Sequence, residues 1–464
     1  MATVFDPQDL TPAPTIRALD PNGRVFFHEN KVWRAIYPHR VEFIRGLFES
    51  GAVARLVASG TLIDTQIAED VEITGFGLVL EHPLLDAPVR PRHWSMATWL
   101  EAGRTFPRLI SALYDEGLAL VDGTPHNFSP APGGKLIWHD FGSIIPLPDD
   151  VWSSGFHQFI ENIYYPLAVY DHLKDPDLFR RLSYPLTADQ ARRLIGIPAP
   201  KEGLLTPNDP FDLRRAAPER LLQVPLRKLG LAGGRKQSTA DQDRNTIAHL
   251  TERMDAFSRH HRSTYWGDYH DDRKERTPGE AVTQRERLVN QLLEEAKPRT
   301  VLDIGANAGV YSHIALQHAD RVFSVDYDET AISKSIESMR RRGTPDRVYP
   351  LVGDITIMPE EDLKTFKSDA VLALALMHHL WLGQHYPWHH LVSRLSALTG
   401  SLLLIEHMPN GLGVTTPQPD PLPEAYHIDH LIAELKKHFT AVEVIPHETD
   451  DLDHSPRTMI RASR

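Results

Sequence analysis

The chain has 464 residues, of which 41% are hydrophobic and 24% charged, with a net charge of −12 and no cysteine. This length supports two or three domains with sizeable cores, and the negative balance argues against general nucleic-acid binding. Without thiols there are no disulfides, thiolate zinc sites or cysteine nucleophile; with no signal-peptide pattern at the start and no apolar run near the roughly 20 residues that span a bilayer, a cytoplasmic protein is expected.

Residues 1–22 are Pro-rich and polar and read as a flexible arm. From Val25 onward, strand-like runs at Arg24–Phe27, Val32–Ile36, Gly77–Glu81 and Lys135–Trp138 surround helical patterns at Val41–Val57 and Met96–Glu116. A helical, aromatic-rich stretch covers 151–182, and the whole of 23–225 reads as an α+β domain, expected to bind a substrate. Gly and Pro then mark a linker at 226–240, followed by a helical connector over 241–297 with helices at Asp241–Arg262 and Thr283–Lys297. Leu288, Leu292 and Leu293 share one face of the second. Tyr265, Trp266 and Tyr269 lie between these helices, placed either to close over a ligand or to pack.

Beyond Pro298 the pattern alternates strand and helix. Strands are expected at Thr300–Ile304, Arg321–Asp326, Val348–Val352, Asp369–Leu376 and Ser401–Ile405, which predicts a doubly wound, Rossmann-like α/β sheet over 298–464. The end departs from this rhythm. Ala441–Pro446 and Arg457–Arg461 read as an antiparallel hairpin, giving seven strands.

The most specific run is Asp303-Ile304-Gly305-Ala306-Asn307-Ala308-Gly309, at the end of the first of these strands. A strand, a glycine turn and a helix form a cradle in which backbone meets ligand closely. The dinucleotide spacing G-x-G-x-x-G is absent, and a carboxylate at 303 would repel a pyrophosphate. A cationic amino-acid ligand such as S-adenosylmethionine fits that acid. Asp326 ends the next strand, 23 residues on, where a carboxylate can accept from ribose hydroxyls; Asp354 follows the third strand, placed for an adenine amino group with Ile355 against the ring.

Three acids at three successive strand ends resemble the class I S-adenosylmethionine-dependent methyltransferases. The resemblance implies that cofactor, held by Asp303, Gly305, Ala306, Asn307, Gly309, Asp326, Tyr327, Asp354, Ile355 and Leu374. The fourth and fifth strands end in Met377-His378-His379 and Glu406-His407, so these side chains face the methyl. Methyl transfer needs alignment and exclusion of water, and a hydroxyl or amine acceptor is helped by a base. His378, His379, Glu406 and His407 are the catalytic candidates, each also readable as a packing or anchoring residue. No Asn/Asp-Pro-Pro-Tyr run occurs, which disfavours nucleic-acid and glutamine nitrogen as acceptor. His is dense here, but without an H-E-x-x-H spacing no metal is assigned.

In the first half, Asp122, Asn127 and Asp140-Phe141-Gly142 are spaced like the catalytic and metal loops of kinases, where the first Asp acts on the hydroxyl and the other two hold magnesium. No Gly-rich phosphate loop occurs, and Lys31 is a candidate for a strand lysine. Most of the chain further resembles a bacterial nodulation-protein-like group of methyltransferases, through Asp122, Asn127, Asp140, Ser143, Trp152, Gln158-Phe159, Pro166-Leu167, the Tyr265-Trp266 segment, Ala375–Leu380 and Ile405-Glu406. The expected activity is methyl transfer from S-adenosylmethionine to a small-molecule or glycan or lipid-linked acceptor, at oxygen. The alternatives are a bifunctional kinase-methyltransferase with magnesium at Asn127 and Asp140, and a non-catalytic binder of the cofactor. The sequence sets no oligomeric state.

Overall fold

A computed structural model describes residues 2–13, 20–29, 31–85, 90–131, 135–149, 151, 154–181, 185–196, 240–259, 264, 280–342, 347–412, 417–445 and 456–464. Tyr265, Trp266, Tyr269 and Trp152 lie outside them. The chain forms two compact units: one comprises 1–91, 98–130 and 135–260, the other 92–97, 131–134 and 261–464.

In unit 1 a five-stranded sheet runs in the order Thr11–Pro12, Gly23–His28, Lys31–Ile36, Leu78–Pro83, Gln66–Ile67, all neighbours antiparallel. Between its third strand and the next lie two helices, Val41–Glu49 and Ala52–Ala58, where the hydrophobic period suggests one. Gly51 at φ +76° interrupts it, since only a residue without Cβ takes that conformation freely. The long helix Met96–Asp115 follows, and strand Leu118–Leu120 pairs antiparallel with Ile144–Pro146. The core behind them is aromatic: Phe106 stacks on Phe159 at 3.9 Å and meets Trp138 edge-on at 6.1 Å.

Unit 2 is built on a seven-stranded sheet. Its strands are β1 (Thr300–Ile304), β2 (Arg321–Asp326), β3 (Val348–Val352), β4 (Ser368–Ala373), β5 (Thr399–His407), β6 (Ala441–Ile445) and β7 (Thr458–Ser463), in the order β3-β2-β1-β4-β5-β7-β6. The first five are parallel and β7 is antiparallel to both β5 and β6, as the expected terminal hairpin requires. Continuous apolar runs such as Val348–Val352, buried at every position, are what a sheet covered on both faces needs. The helix Gln284–Ala296 opens with a capping box, Thr283 with Glu286, and buries Val289, Leu292 and Leu293 against the sheet.

The register brings the carboxyl ends of the strands to one edge. Ile304 lies beside Val325 and Ala373, Asp326 beside Val352, and Ala373 beside Ile405. Chain order reverses between β1 and β4, and ligands of open α/β sheets bind at that switch point.

Candidate functional site

The loop leaving β1 turns back on itself through three left-handed residues, Gly305 (φ +72°), Asn307 (φ +50°) and Gly309 (φ +81°). Gly309 starts the helix Val310–Ala315. The loop is tied to β2 rather than left open: the N–H groups of Gly305 and Ala306 both donate to the Val325 carbonyl, at 2.8 and 3.1 Å. The Asn307 N–H donates to Asp326 Oδ2 at 2.9 Å, and the Asp328 N–H donates to Oδ1 at 2.8 Å. The Tyr327 N–H adds a third backbone interaction, and a carboxylate offers about four lone-pair sites, so Asp326 can hold the loop and still accept from a ligand. Ala306 and Asn307 are buried, whereas Tyr327 is 51% exposed.

Asp303 lies beneath the loop, 2% exposed, and accepts from Ser312 Oγ at 2.6 Å. Burial pushes its carboxyl up to about 7, against the Ser312 hydrogen bond and helped by the charge of Asp326. Burial raises Asp326 to about 6, against the N–H groups of Asp328 and Asn307. Asp354 sits just past β3, its Oδ1 accepting from Thr356 N and Oγ1 at 2.8 and 2.6 Å. Ile355 is buried and its carbonyl accepts from Arg394, while Ile357 stands 72% exposed.

Across the switch point, the loop after β4 faces the first. A Cβ added to Gly305 would meet Leu376 Cδ1 at 3.4 Å. Leu374 is buried, Ala375 takes φ +50°, and its N–H donates to Glu406 Oε2 at 2.8 Å. A left-handed non-glycine residue and the π-turn His379–Gly383 just after it are irregularities that gather at functional sites.

The four catalytic candidates fall into two environments. Glu406 is fully buried and its Oε2 accepts from Arg285 Nη2 at 2.8 Å and Arg457 Nη1 at 3.3 Å as well as from Ala375. His407 is 3% exposed; its Nε2 meets the Tyr426 carbonyl at 3.1 Å, which makes Nε2–H the donor and leaves Nδ1 with its lone pair and no partner. His378 is also buried with an unpartnered Nδ1, its ring 4.0 Å from that of His379. Burial drives His378 down to about 2 and His379 to about 4, and lowers His407 as well, so all three are neutral bases at pH 7.

Arg285, Arg457, Ser312 and Tyr426 were not singled out by sequence. A signal existed for Arg285: it falls on the apolar face of its helix, four residues before Val289 and seven before Leu292. The others are joined only by folding.

In unit 1, Asp122, Asn127 and Asp140 do come together. Asn127 Nδ2 reaches the Asp122 carbonyl at 3.5 Å, and the His139 N–H donates to the Asn127 carbonyl at 3.0 Å. The charge of Asp122 adds to burial in raising the Asp140 carboxyl, against Arg34. Arg34, 4% exposed on the strand Lys31–Ile36, ion-pairs with Asp140 Oδ1 at 3.1 Å and with Asp20. Lys31 instead pairs outward with Glu81 at 2.8 Å. Among the described residues no three His, Asp or Glu side chains converge to hold a metal ion, and no helix is long and apolar enough to cross a membrane.

No protein-family profile matches the chain. It is 25% identical over 411 residues to the nodulation protein NoeA of Rhizobium meliloti (strain 1021), covering 79% of each chain. Among solved structures, it is similar to the N-methyltransferase NodS from Bradyrhizobium japonicum WM9 in complex with S-adenosyl-L-homocysteine (12% identity, 43% of this chain and 99% of that one, TM-score 0.31). It is also similar to magnesium protoporphyrin IX methyltransferase ChlM from Synechocystis PCC 6803 with the same product (15% identity, 43% and 95%, TM-score 0.30). An O-methyltransferase from Bacillus cereus aligns at 11% identity over 44% and 92%, with a TM-score of 0.31. Scores this low carry no assignment; the fold of unit 2 rests on its strand order.

Proposed function

We propose that the chain is an S-adenosylmethionine-dependent methyltransferase acting on a small-molecule or glycan or lipid-linked acceptor, at oxygen. The observation that carries this reading is the Gly305–Gly309 loop held by Asp326 at the switch point, with Asp303 beneath it and Asp354 at the neighbouring strand end. That set of acceptors suits a ligand rich in hydrogen-bond donors and positive charge, and does not suit a pyrophosphate. Asp326 would accept from the ribose hydroxyls, Asp354 from the adenine amino group, and the exposed Tyr327 ring would cover the base. Asp303 would act from beneath the loop, through its charge. Gly305, Ala306, Asn307 and Gly309 would line the amino-acid end, with Leu374 behind them and Ile355 supporting the adenine loop from the core.

When bound, the sulfonium donor supplies an already activated methyl carbon. The residues of this chain then align the acceptor, exclude water and take its proton. His407 is held in a single tautomer, its Nδ1 lone pair directed by the Tyr426 carbonyl at the other nitrogen. His378 offers a second neutral nitrogen and His379 packs on it. Glu406, paired with two arginines, would position the loop after β4 through the Ala375 N–H. Calorimetry with S-adenosylhomocysteine tests the reading: binding that is lost in Asp326→Ala is expected, and no binding by the folded wild type contradicts it. Incubating metabolite extracts with labelled donor then reports the acceptor class.

For unit 1 we infer a kinase-like arrangement without phosphotransfer, serving the acceptor. Its element order supports this: antiparallel strands, helices after the third, then the strand pair Leu118–Leu120 and Ile144–Pro146 framing Asp122, Asn127 and Asp140. Arg34 ties up Asp140, the acid a bifunctional enzyme would need for magnesium. A thermal-shift titration with Mg·ATP is expected to be flat. A shift lost in Asp140→Ala would restore the bifunctional reading.

A further inference from the structure

Residues Arg92–Ala97 fold with unit 2, although the chain up to Pro91 and from Thr98 belongs to unit 1. Four successive residues, His93 to Met96, are 5% exposed or less, and Ala97 joins the hydrophobic core of the seven-stranded sheet. Two polar contacts of this segment reach the chain that carries the ligand-facing acids, and others anchor it to the helix Glu360–Thr365. His93 Nδ1 meets the Val352 carbonyl at 3.1 Å, at the last residue of β3 and two before Asp354. On its other side His93 Nε2 meets Asp362 Oδ2 at 3.0 Å, and the ring stands edge-on to Phe366 at 5.0 Å. Arg92 closes the arrangement from outside, donating to Asp362 at 2.8 and 2.5 Å and to Glu361 at 2.7 Å. The Met96 N–H donates to Glu329 Oε1 at 2.9 Å, three residues after Asp326.

We infer that Arg92–Ala97 is a clip completing the donor site, with His93 as the positioning residue for the adenine end. The inference rests on the reading of that site as one for an adenosyl ligand. The carbonyl of Val352 lies where the β3 ladder ends, and a buried carbonyl there needs a donor. His93 supplies it when Nδ1 carries the ring proton, and so fixes the direction in which the chain leaves β3 toward Gly353 and Asp354. The space is tight: a Cβ at Gly353 would meet His93 Nδ1 at 3.6 Å and Met358 Cε at 3.1 Å. Glu329, held to the Met96 N–H, fixes the first turn of the helix that follows Asp326. Ribose and adenine acids are thereby set by one segment that is distant in sequence from both.

The test uses the full chain, with S-adenosylhomocysteine and its hypoxanthine analogue S-inosylhomocysteine as calorimetric probes. Hypoxanthine presents an acceptor where adenine presents an amino donor, so the ratio of the two affinities reports how Asp354 is placed. Wild type is expected to bind the adenine form and discriminate against the other. His93→Leu, shown folded by circular dichroism, is expected to bind the adenine form at least about 10-fold more weakly, about 1.4 kcal/mol, and to lose most of the discrimination. Arg92→Ala, which loosens the clip from outside, is expected to shift both in the same direction by less. A folded His93→Leu with wild-type affinity and discrimination overturns the inference. Should that variant not fold, an unchanged ratio in Arg92→Ala does so. Wild type that binds neither probe removes the donor-site reading itself, and the clip with it.

Discussion

Both units place acids beside a glycine-bearing turn at strand ends, yet the acids meet opposite partners. In unit 2, Asp326 is held by backbone N–H groups of the loops it shapes, those of Asn307, Asp328 and Tyr327, and by no ion pair among the described residues. In unit 1, Asp140 and Asp20 are bound by the guanidinium of Arg34. Gly142 seats that cluster: a Cβ there would come within 2.0 Å of Arg34 Nη1 and 2.3 Å of Asp20 Oδ2. Backbone amides hold a carboxylate without cancelling its charge, whereas a buried arginine cancels it. The same residue type is thus set for a ligand in one unit and for the fold in the other.

The largest effect is expected where unit 2 itself uses the arginine solution. Glu406→Ala leaves Arg285 and Arg457 buried without their shared carboxylate, and denaturant unfolding should show a loss of about 3–5 kcal/mol. Arg34→Ala in unit 1 exposes the same principle, stranding Asp20 and Asp140, with a cost of about 3 kcal/mol. It should leave binding of S-adenosylhomocysteine unchanged; a change there would blur the contrast between the two sets of acids. Asp326→Ala should do the reverse, with binding weakened about 10- to 100-fold through lost hydrogen bonds to a charged acceptor.

A pH titration probes the acids of unit 2 directly. The folded carboxyl values of Asp303, about 7, and Asp326, about 6, lie above the ordinary 3.8. Between 3.8 and those values the folded chain holds protons that the unfolded chain releases, so their contribution to stability falls as pH rises through that window. A ligand that prefers the ionised acids should bind progressively more tightly from pH 5.5 to 8, measured by calorimetry at matched ionic strength; tighter binding at the acid end contradicts it. The smallest effect belongs to Lys31→Ala, whose outward pair with Glu81 is solvated, and no measurable change in melting temperature is expected.

What the sequence made legible was the part governed by local rules. Apolar runs and turn residues located β1, β2 and β3 to the residue, and the acids at their ends follow from that placement. β4 ends at Ala373 rather than Leu376, because Ala375 turns left-handed to reach Glu406. The long helical pattern of 41–57 breaks at Gly51, a residue whose φ no periodicity records. Hidden altogether were contacts made across the chain: Arg285 with Glu406 over 121 residues, Arg34 with Asp140 over 106, and His93 with Asp362 over 269. Each depends on which buried charges folding brings together, and one sequence alone does not state that pairing.

The comparison between the units is tested most directly by calorimetry of the full-length chain against S-adenosylhomocysteine and, separately, Mg·ATP. The account predicts stoichiometric binding of the first, abolished or strongly weakened by Asp326→Ala and untouched by Asp140→Ala, and no heat from the second. Binding of Mg·ATP that depends on Asp140, or no binding of S-adenosylhomocysteine by the folded chain, would contradict it.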